Sequence, residues 1–268
     1  MNFNELNLNY NRDGVVLVRN FLPDNDLDLV TLAIDFSLKN PSPYSSKITN
    51  KKKNSVFFND YWTYKRNNFI KKILSNNVTI SKVKKITGNK EVSFFHDHIL
   101  VKDPSSPSTL WHHDRPYYFI DGANNFSIWI TTDKVSEDNS LAFCAGSHKS
   151  KNIYVPVDFN DGSFLNSHPD LKKLDEDAFI QESEKGILVF NMKAGDAIIF
   201  NNKTLHRSMP SSNEKVRKAL SLRMIGDNCK LTKFCCLNPQ PPFHKFGMDL
   251  VEGGNIDPKW FPPLPLNY

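Results

Sequence analysis

Hydrophobic and polar positions along this chain change period near residue 91. Before that point apolar residues recur three and four apart. Leu27, Val30, Ile34 and Leu38, with Leu29 and Ala33 alongside, predict a helix after Pro23-Asp24, with Asp24 or Asn25 as its cap and Pro41-Ser42-Pro43 as its stop. Phe69, Ile73 and Leu74 predict a second helix, and Ile80, Val83 and Ile86 a third that ends at Gly88. A β-branched run over 14–19 predicts a strand ahead of them. Residues 45–54 are polar and lysine-rich and predict a mobile loop, after which aromatics return at Phe57, Phe58, Tyr61, Trp62 and Tyr64. From Glu91 onward the texture is that of strands, at 92–102, 110–118, 126–132, 141–144, 186–191, 197–200 and 216–225. Within 126–132, Phe126, Ile128 and Ile130 alternate with Ser127, Trp129 and Thr131. Helices first and many strands afterwards predict a β-sandwich or barrel core buttressed by N-terminal helices.

Two stretches break the pattern. Residues 154–184 are acidic and irregular and read as an insertion over one rim. Residues 238–268 are rich in Pro, carry Gly253-Gly254 and Trp260-Phe261-Pro262-Pro263, and predict a segment that wraps the surface without regular structure. No repeat or linker divides the chain, so residues 1–268 read as a single domain. The 39% hydrophobic content, including 20 Phe, is enough for a packed core. The net charge of +5 comes largely from lysines at 51–53, 71, 72, 82, 84 and 85. With no nucleic-acid motif beside them, they read as a solvated surface rather than a nucleic-acid groove. Cys144, Cys229, Cys235 and Cys236 have neither disulfide-framework nor zinc-knuckle spacing, and the vicinal Cys235-Cys236 reads as ordinary thiols. The first ten residues are polar and no run approaches the ~20 apolar residues of a membrane span, so the expectation is a soluble, cytoplasmic protein. Nothing in the pattern specifies an oligomer.

The chemistry is concentrated in Trp111-His112-His113-Asp114 and in Leu205-His206, 92 residues after Asp114. On a strand, alternation puts His112 and Asp114 on one face and His113 on the other. Two imidazoles and one carboxylate occupy one face of an octahedron and leave the other open, the ligand set of mononuclear non-heme iron(II) oxygenases. Zinc hydrolases use the same ligand types. Arg217 decides between them. It lies 11 residues after His206, beyond a polar turn at 211–214. A hairpin would bring its guanidinium beside the metal, where its planar fork suits a carboxylate. A cosubstrate that chelates iron at one end and carries a carboxylate at the other is 2-oxoglutarate, and a hydrolase has no need of such a clamp.

Other residues join the candidate site by strand parity. Ser208 shares the face of His206 and is a candidate for the cosubstrate carboxylate; Trp129 is a candidate to flank it. Arg223 shares the face of Arg217 and is read as a second inward cation for an anionic substrate, or as a partner of Asp227. His96 and His98 share a face with Lys102, and Tyr117 or Tyr118 is expected at the pocket mouth. Gly146-Ser147-His148 reads as a tight turn rather than a ligand cluster, and Gly195-Asp196 as the turn leading toward His206.

The order of these motifs resembles the phytanoyl-CoA dioxygenase-like iron(II)/2-oxoglutarate oxygenases. The resemblance runs from 13–22 through Lys102-Asp103-Pro104, Trp111-His112-His113-Asp114, Asn139-Ser140-Leu141, Gly146-Ser147-His148-Lys149 and Gly195-Asp196 to His206 and Arg217. It implies a mainly β fold with flanking α: a double-stranded β-helix (jelly-roll, cupin-like) core with N-terminal helices packed on it. It further implies Fe(II), 2-oxoglutarate and O2 as cofactors, with catalysis at His112, Asp114 and His206 on the metal and Arg217 on 2-oxoglutarate. The family often has a lysine where Lys102 stands, which makes it a further cosubstrate candidate. Iron halogenases of related fold replace the carboxylate, so Asp114 favours hydroxylation. The inward set of Arg223, Lys102, His98 and Tyr117 leads us to expect a small to medium polar metabolite: an amino acid, a phosphonate or a natural product. The alternatives are a non-catalytic cupin-like metal-binding or sensing protein and a metal-dependent hydrolase, and Arg217 argues against both.

Overall fold

The computed structural model describes residues 1–50, 54–106, 108–159, 161–175, 186–209 and 215–267. Its elements are α1 (Phe3–Asp13), β1 (Val15–Val18), α2 (Asp24–Lys39), β2 (Ser46–Asn50), β3 (Ser55–Tyr61), α3 (Asn68–Leu74), α4 (Asn77–Thr87), β4 (Ser93–Lys102), β5 (Ile120–Asp121), β6 (Phe126–Thr131), β7 (Leu141–Cys144), β8 (Ile187–Val189), β9 (Ala197–Asn201), β10 (His206–Ser208), β11 (Arg217–Ile225) and β12 (Lys230–Leu231). An antiparallel seven-stranded sheet runs β1-β9-β6-β11-β4-β3-β2. A three-stranded sheet, β10-β7-β8, packs against its inner face, and β12-β5 form a small ribbon. The fold is the cupin-like double-stranded β-helix, with helices at its back.

Strand parity sorts the side chains of the large sheet. Leu220, Leu222 and Met224 of β11 join Ile99 and Val101 of β4 and Ile128 and Ile130 of β6 in a core shared with the helices. Val30 and Ile34 of α2 and Ile80, Val83 and Ile86 of α4 supply the helical side, at the spacing the sequence shows. The other parity faces the small sheet. There Trp129, Ile198, Phe200 and Ala219 meet Leu141 and Phe143. Hence β6 is buried at all six positions, where simple alternation describes a half-exposed strand.

Several expectations need correction. The N-terminal segment, read only as polar, forms α1, which Asn2 caps by accepting from the Glu5 N–H at 3.3 Å and which ends at Gly14 with φ +77°. Helix α2 begins at Asp24, so Pro23 is its cap position, and the side chains of Asp24 and Asn25 lie outside the described residues. The loop expected at 45–54 is largely a hairpin: β2 pairs with β3, and only 51–53 lie outside the described residues. Lysine and polar residues suit β2 because it is an edge strand, where charge blunts further pairing. The strand expected over 110–118 is a single bridge, His112 to His206, followed by one 3₁₀ turn at Arg115–Tyr117. Pro116 has no N–H to donate to a ladder, which ends the pairing. The turn expected at 211–214 lies outside the described residues, as do 176–185 of the acidic insertion.

The Pro-rich tail does more than wrap the surface. Phe243, Met248 and Phe261 are buried with Phe95, Phe119 and Ile120 in a second apolar cluster, and Leu264 enters the helical core. Phe94 donates to Pro262 and Leu264 to Val92, so the tail extends the β4 end of the sheet. The four cysteines are buried thiols. Among the described residues no helix is long and apolar enough to cross a membrane.

Phe261 is 1% exposed. Phe261→Ala should therefore cost about 3–5 kcal/mol, as for other buried Phe truncations, by urea denaturation. A loss below about 1 kcal/mol would return the tail to the surface role its composition suggests.

Candidate metal and cosubstrate site

His206 stands on β10, and His112 is tied to it by reciprocal backbone bonds of 3.0 and 2.8 Å. This bridge joins residues 94 apart in sequence and sets their rings 4.3 Å apart. Asp114 follows two residues later with helical φ and ψ, so it reaches the same point from a turn rather than from a strand. One ligand atom each from His112, Asp114 and His206 lies within 4.8 Å of the others.

The surroundings prepare these groups for a metal. The ring Nδ1 of His112 is 2.8 Å from the Leu110 carbonyl, and that of His206 is 2.9 Å from the Thr204 carbonyl. A carbonyl only accepts, so each Nδ1 carries the hydrogen and each Nε2 lone pair is left for an ion. Burial, then the neighbouring His206, pushes His112 down to about 3; burial likewise lowers His206. Both are neutral, the form that binds metal. Burial pushes the Asp114 carboxyl up, but the charge of Arg223 opposes it, and the carboxyl lies below its ordinary range. The donor set and its hydrogen bonds therefore fit an iron(II) ion. His113 points the other way, as alternation predicts, and its Nε2 accepts from the Tyr154 N–H at 3.0 Å. It is buried, and it anchors the start of the 154–175 segment.

The triad opens on a cavity of about 310 Å³ between the two sheets. Register across the large sheet arranges its floor in rows. One row runs Phe57–Lys102–Arg217, the next but one Tyr61–His98–Ser221–Trp129, and then His96–Arg223–Ser127–Phe200. Arg217 is 5% exposed, donates to the carbonyls of Asn139 (2.5 Å) and Ser140 (3.3 Å), and lies 5.5 Å over the Trp129 ring. Burial pulls its guanidinium down to about 10, still charged at neutral pH. Lys102 is fully buried and donates to Ser208 Oγ at 2.7 Å. Arg217, Ser208 and Trp129 line the cavity itself.

Arg223 is placed differently from expectation. It faces inward, but it pairs with Asp114 and Ser127, so its charge is matched by the Asp114 carboxylate. Asp227, its other expected partner, accepts from the N–H groups of Lys90 (2.7 Å) and Glu91 (2.9 Å) instead. Tyr117 lines the cavity, donates to the Val157 carbonyl at 2.9 Å and stacks on Phe159 at 6.0 Å. The insertion thus supplies a wall through Val157, Asp158, Phe159 and Leu165. These four, Gln240 and Ser221 were not read as site residues. The parity of Arg217 and Arg223 points to Ser221, which lies between them on β11. No local pattern points to the others.

The family model for phytanoyl-CoA dioxygenase (PhyH) matches residues 10–219. The chain belongs to this family. Iron(II), 2-oxoglutarate and O2 are the cofactor and cosubstrates of that family. Dioxygenase hkm4 of Aspergillus hancockii is 28% identical over 145 residues, 51% of this chain; the match spans only 38% of that protein. The epimerase SnoN from nogalamycin biosynthesis superposes with a TM-score of 0.74 at 15% identity, covering 99% of this chain and 96% of that one. EctD from S. alaskensis, with 2-oxoglutarate and 5-hydroxyectoine, superposes at 0.69 and 16% identity, covering 94% and 84%. At these identities the likeness is one of fold.

Metal binding gives a direct check on the triad. An ion held at 100 times its dissociation constant should stabilise the folded chain by about 2.7 kcal/mol. His206→Ala should keep the fold but lose that gain when iron(II) is added anaerobically. An undiminished gain would place the ion elsewhere.

Proposed function

We propose that His112, Asp114 and His206 hold iron(II), that Arg217 grips the far carboxylate of 2-oxoglutarate, and that the enzyme hydroxylates an unactivated C–H bond of a small to medium metabolite. The observation that supports it most is the placement of a buried, charged Arg217 in the same cavity as the three candidate ligands. When bound, iron with 2-oxoglutarate and dioxygen supplies the oxidising power to break such a bond, releasing succinate and CO2. The protein's part is geometry and the exclusion of water.

Arg217 has its orientation set by two carbonyls and its face covered by Trp129. A preformed fork loses little freedom on meeting a carboxylate. Lys102 and Ser208 extend the cationic, hydrogen-bonding end. Arg223 occupies one oxygen of Asp114. That leaves the other for the metal and holds the carboxylate in one orientation. Tyr117, Phe159 and Val157 cover the open side of His112. Family membership favours an oxygenase over a hydrolase or a metal sensor.

The test is succinate release from 2-oxoglutarate by the iron-loaded protein, followed by the mass of the co-product. A gain of one oxygen supports hydroxylation; an unchanged mass would align the chain with the epimerase instead. Arg217→Lys should weaken 2-oxoglutarate by about 1.5–3 kcal/mol, because a point charge replaces the fork. Unchanged affinity would move the grip to another residue.

Lys102 adds a pH dependence. Burial, then the charge of Arg217, pushes its ammonium down to about 7. A dianionic cosubstrate favours the protonated form, so above about pH 7 binding must take up a proton. The dissociation constant for 2-oxoglutarate should rise as pH climbs through that value, and Lys102→Met should flatten the rise. A slope unaffected by Lys102→Met would exclude this lysine from the grip.

A further inference from the structure

Part of the cavity wall is explained by neither the metal nor 2-oxoglutarate. His96 and His98 on β4 and Ser221 on β11 all line it. His96 Nε2, His98 Nε2 and Ser221 Oγ are buried side-chain atoms with no hydrogen-bond partner. His98 sits opposite Ser221, and His96 opposite Arg223, so these groups form one continuous patch. Buried polar atoms are paired in most proteins, so three exceptions on one cavity wall call for a partner inside the cavity.

The hydrogen-bonding character of the patch can be derived. His96 Nδ1 is 3.0 Å from the Asp97 carbonyl. That nitrogen must carry the hydrogen, so in a neutral ring Nε2 is a bare acceptor aimed at the cavity. Burial, then the charge of Arg223, keeps both rings neutral, with His98 pushed down to about 3. A ligand that satisfies His96 must therefore bring an O–H or N–H.

The surroundings describe the rest of the ligand. Tyr61 presents an edge to both rings, with centroids at 6.3 and 5.9 Å, and is held by its bond to Gln240 at 2.8 Å. Tyr118 stands 5.3 Å from His96, and the Tyr117–Phe159 stack lines the same cavity. Among the described residues that line the cavity, the cations are Arg217 and Arg223. The first belongs to the cosubstrate end and the second is matched by Asp114. Asp158 adds a carboxylate to the lining. This wall offers no spare positive charge for an anion, and its aromatic rings favour a flat ligand over a flexible chain.

We propose that the substrate is an uncharged, ring-containing molecule whose hydroxyl donates to His96 Nε2, with His98 and Ser221 completing a polar edge beside the aromatic wall. This deepens the oxygenase reading, on which it rests, and replaces the anionic substrate that an unpaired Arg223 implied.

The experiment is calorimetric binding to the full chain loaded with zinc(II) and 2-oxoglutarate. The probes are 2,7-dihydroxynaphthalene, its dimethoxy analogue, 6-hydroxy-2-naphthoate and myristate. The diol should bind, and the dimethoxy compound, which has no hydrogen to donate, should bind about tenfold more weakly, roughly one hydrogen bond. The naphthoate and myristate should also be weaker than the diol. His96→Phe should erase the preference for diol over dimethoxy, while His96→Gln, which keeps an acceptor, should retain part of it. Equal binding of diol and dimethoxy by the unaltered chain would overturn the proposal without recourse to any variant. So would tighter binding of naphthoate or myristate, or binding of neither ring probe. Succinate release by the iron-loaded chain is measured separately. A chain that releases succinate but binds no ring probe loses this proposal alone; one that binds the diol but releases no succinate keeps the polar edge and loses the oxygenase reading.

Discussion

The buried pair of Arg223 and Asp114 is the contact on which the site depends. It ties the floor of the seven-stranded sheet to the turn that carries Asp114. Asp114 has no strand to hold it, because the ladder ends at His112 and Pro116 turns the chain. Its orientation comes from Arg223 and Ser127 instead. A buried ion pair is costly to assemble, and breaking one partner typically costs about 3–5 kcal/mol. Such a pair makes sense where orientation matters more than net stability, which is the condition at a metal ligand.

The same pair shows where sequence reasoning stops. Parity along β11 correctly turns Arg217, Ser221 and Arg223 inward, because alternation is a property of the strand itself. It cannot say which group arrives from the opposite side. Arg217 meets the carbonyls of Asn139 and Ser140, and Arg223 meets Asp114; both partners come from turns far away in the chain. The cluster of His112, Asp114 and His206 was legible from residue type and order, although the element carrying Asp114 was not. The β2–β3 hairpin was hidden because an exposed edge strand and a polar loop have the same composition. Helix α1 was hidden for a related reason. Only Phe3, Leu6 and Tyr10 mark its apolar inner face, and the other positions are polar apart from an exposed Leu8.

The tail was the largest misreading, and its cause is compositional. Proline forbids ladders and helices, so a Pro-rich segment looks unstructured by pattern. Burial does not require regular backbone. Phe243, at the start of a short 3₁₀ turn, and Phe261, outside any helix or strand, pack against Phe95 and Phe119, with ring centroids 5.3–6.3 Å apart.

The involvement of that tail sets an order on assembly. β1 pairs with β9, linking Val15 to Phe200, and Gln240 holds the Tyr61 wall in place. Contacts so distant in sequence are formed late and slowly. As the chain emerges from the ribosome, His112 and Asp114 are exposed well before His206 follows, and the cavity gains its final wall only after residue 240. An ion held by all three side chains would therefore meet a finished protein rather than a nascent one.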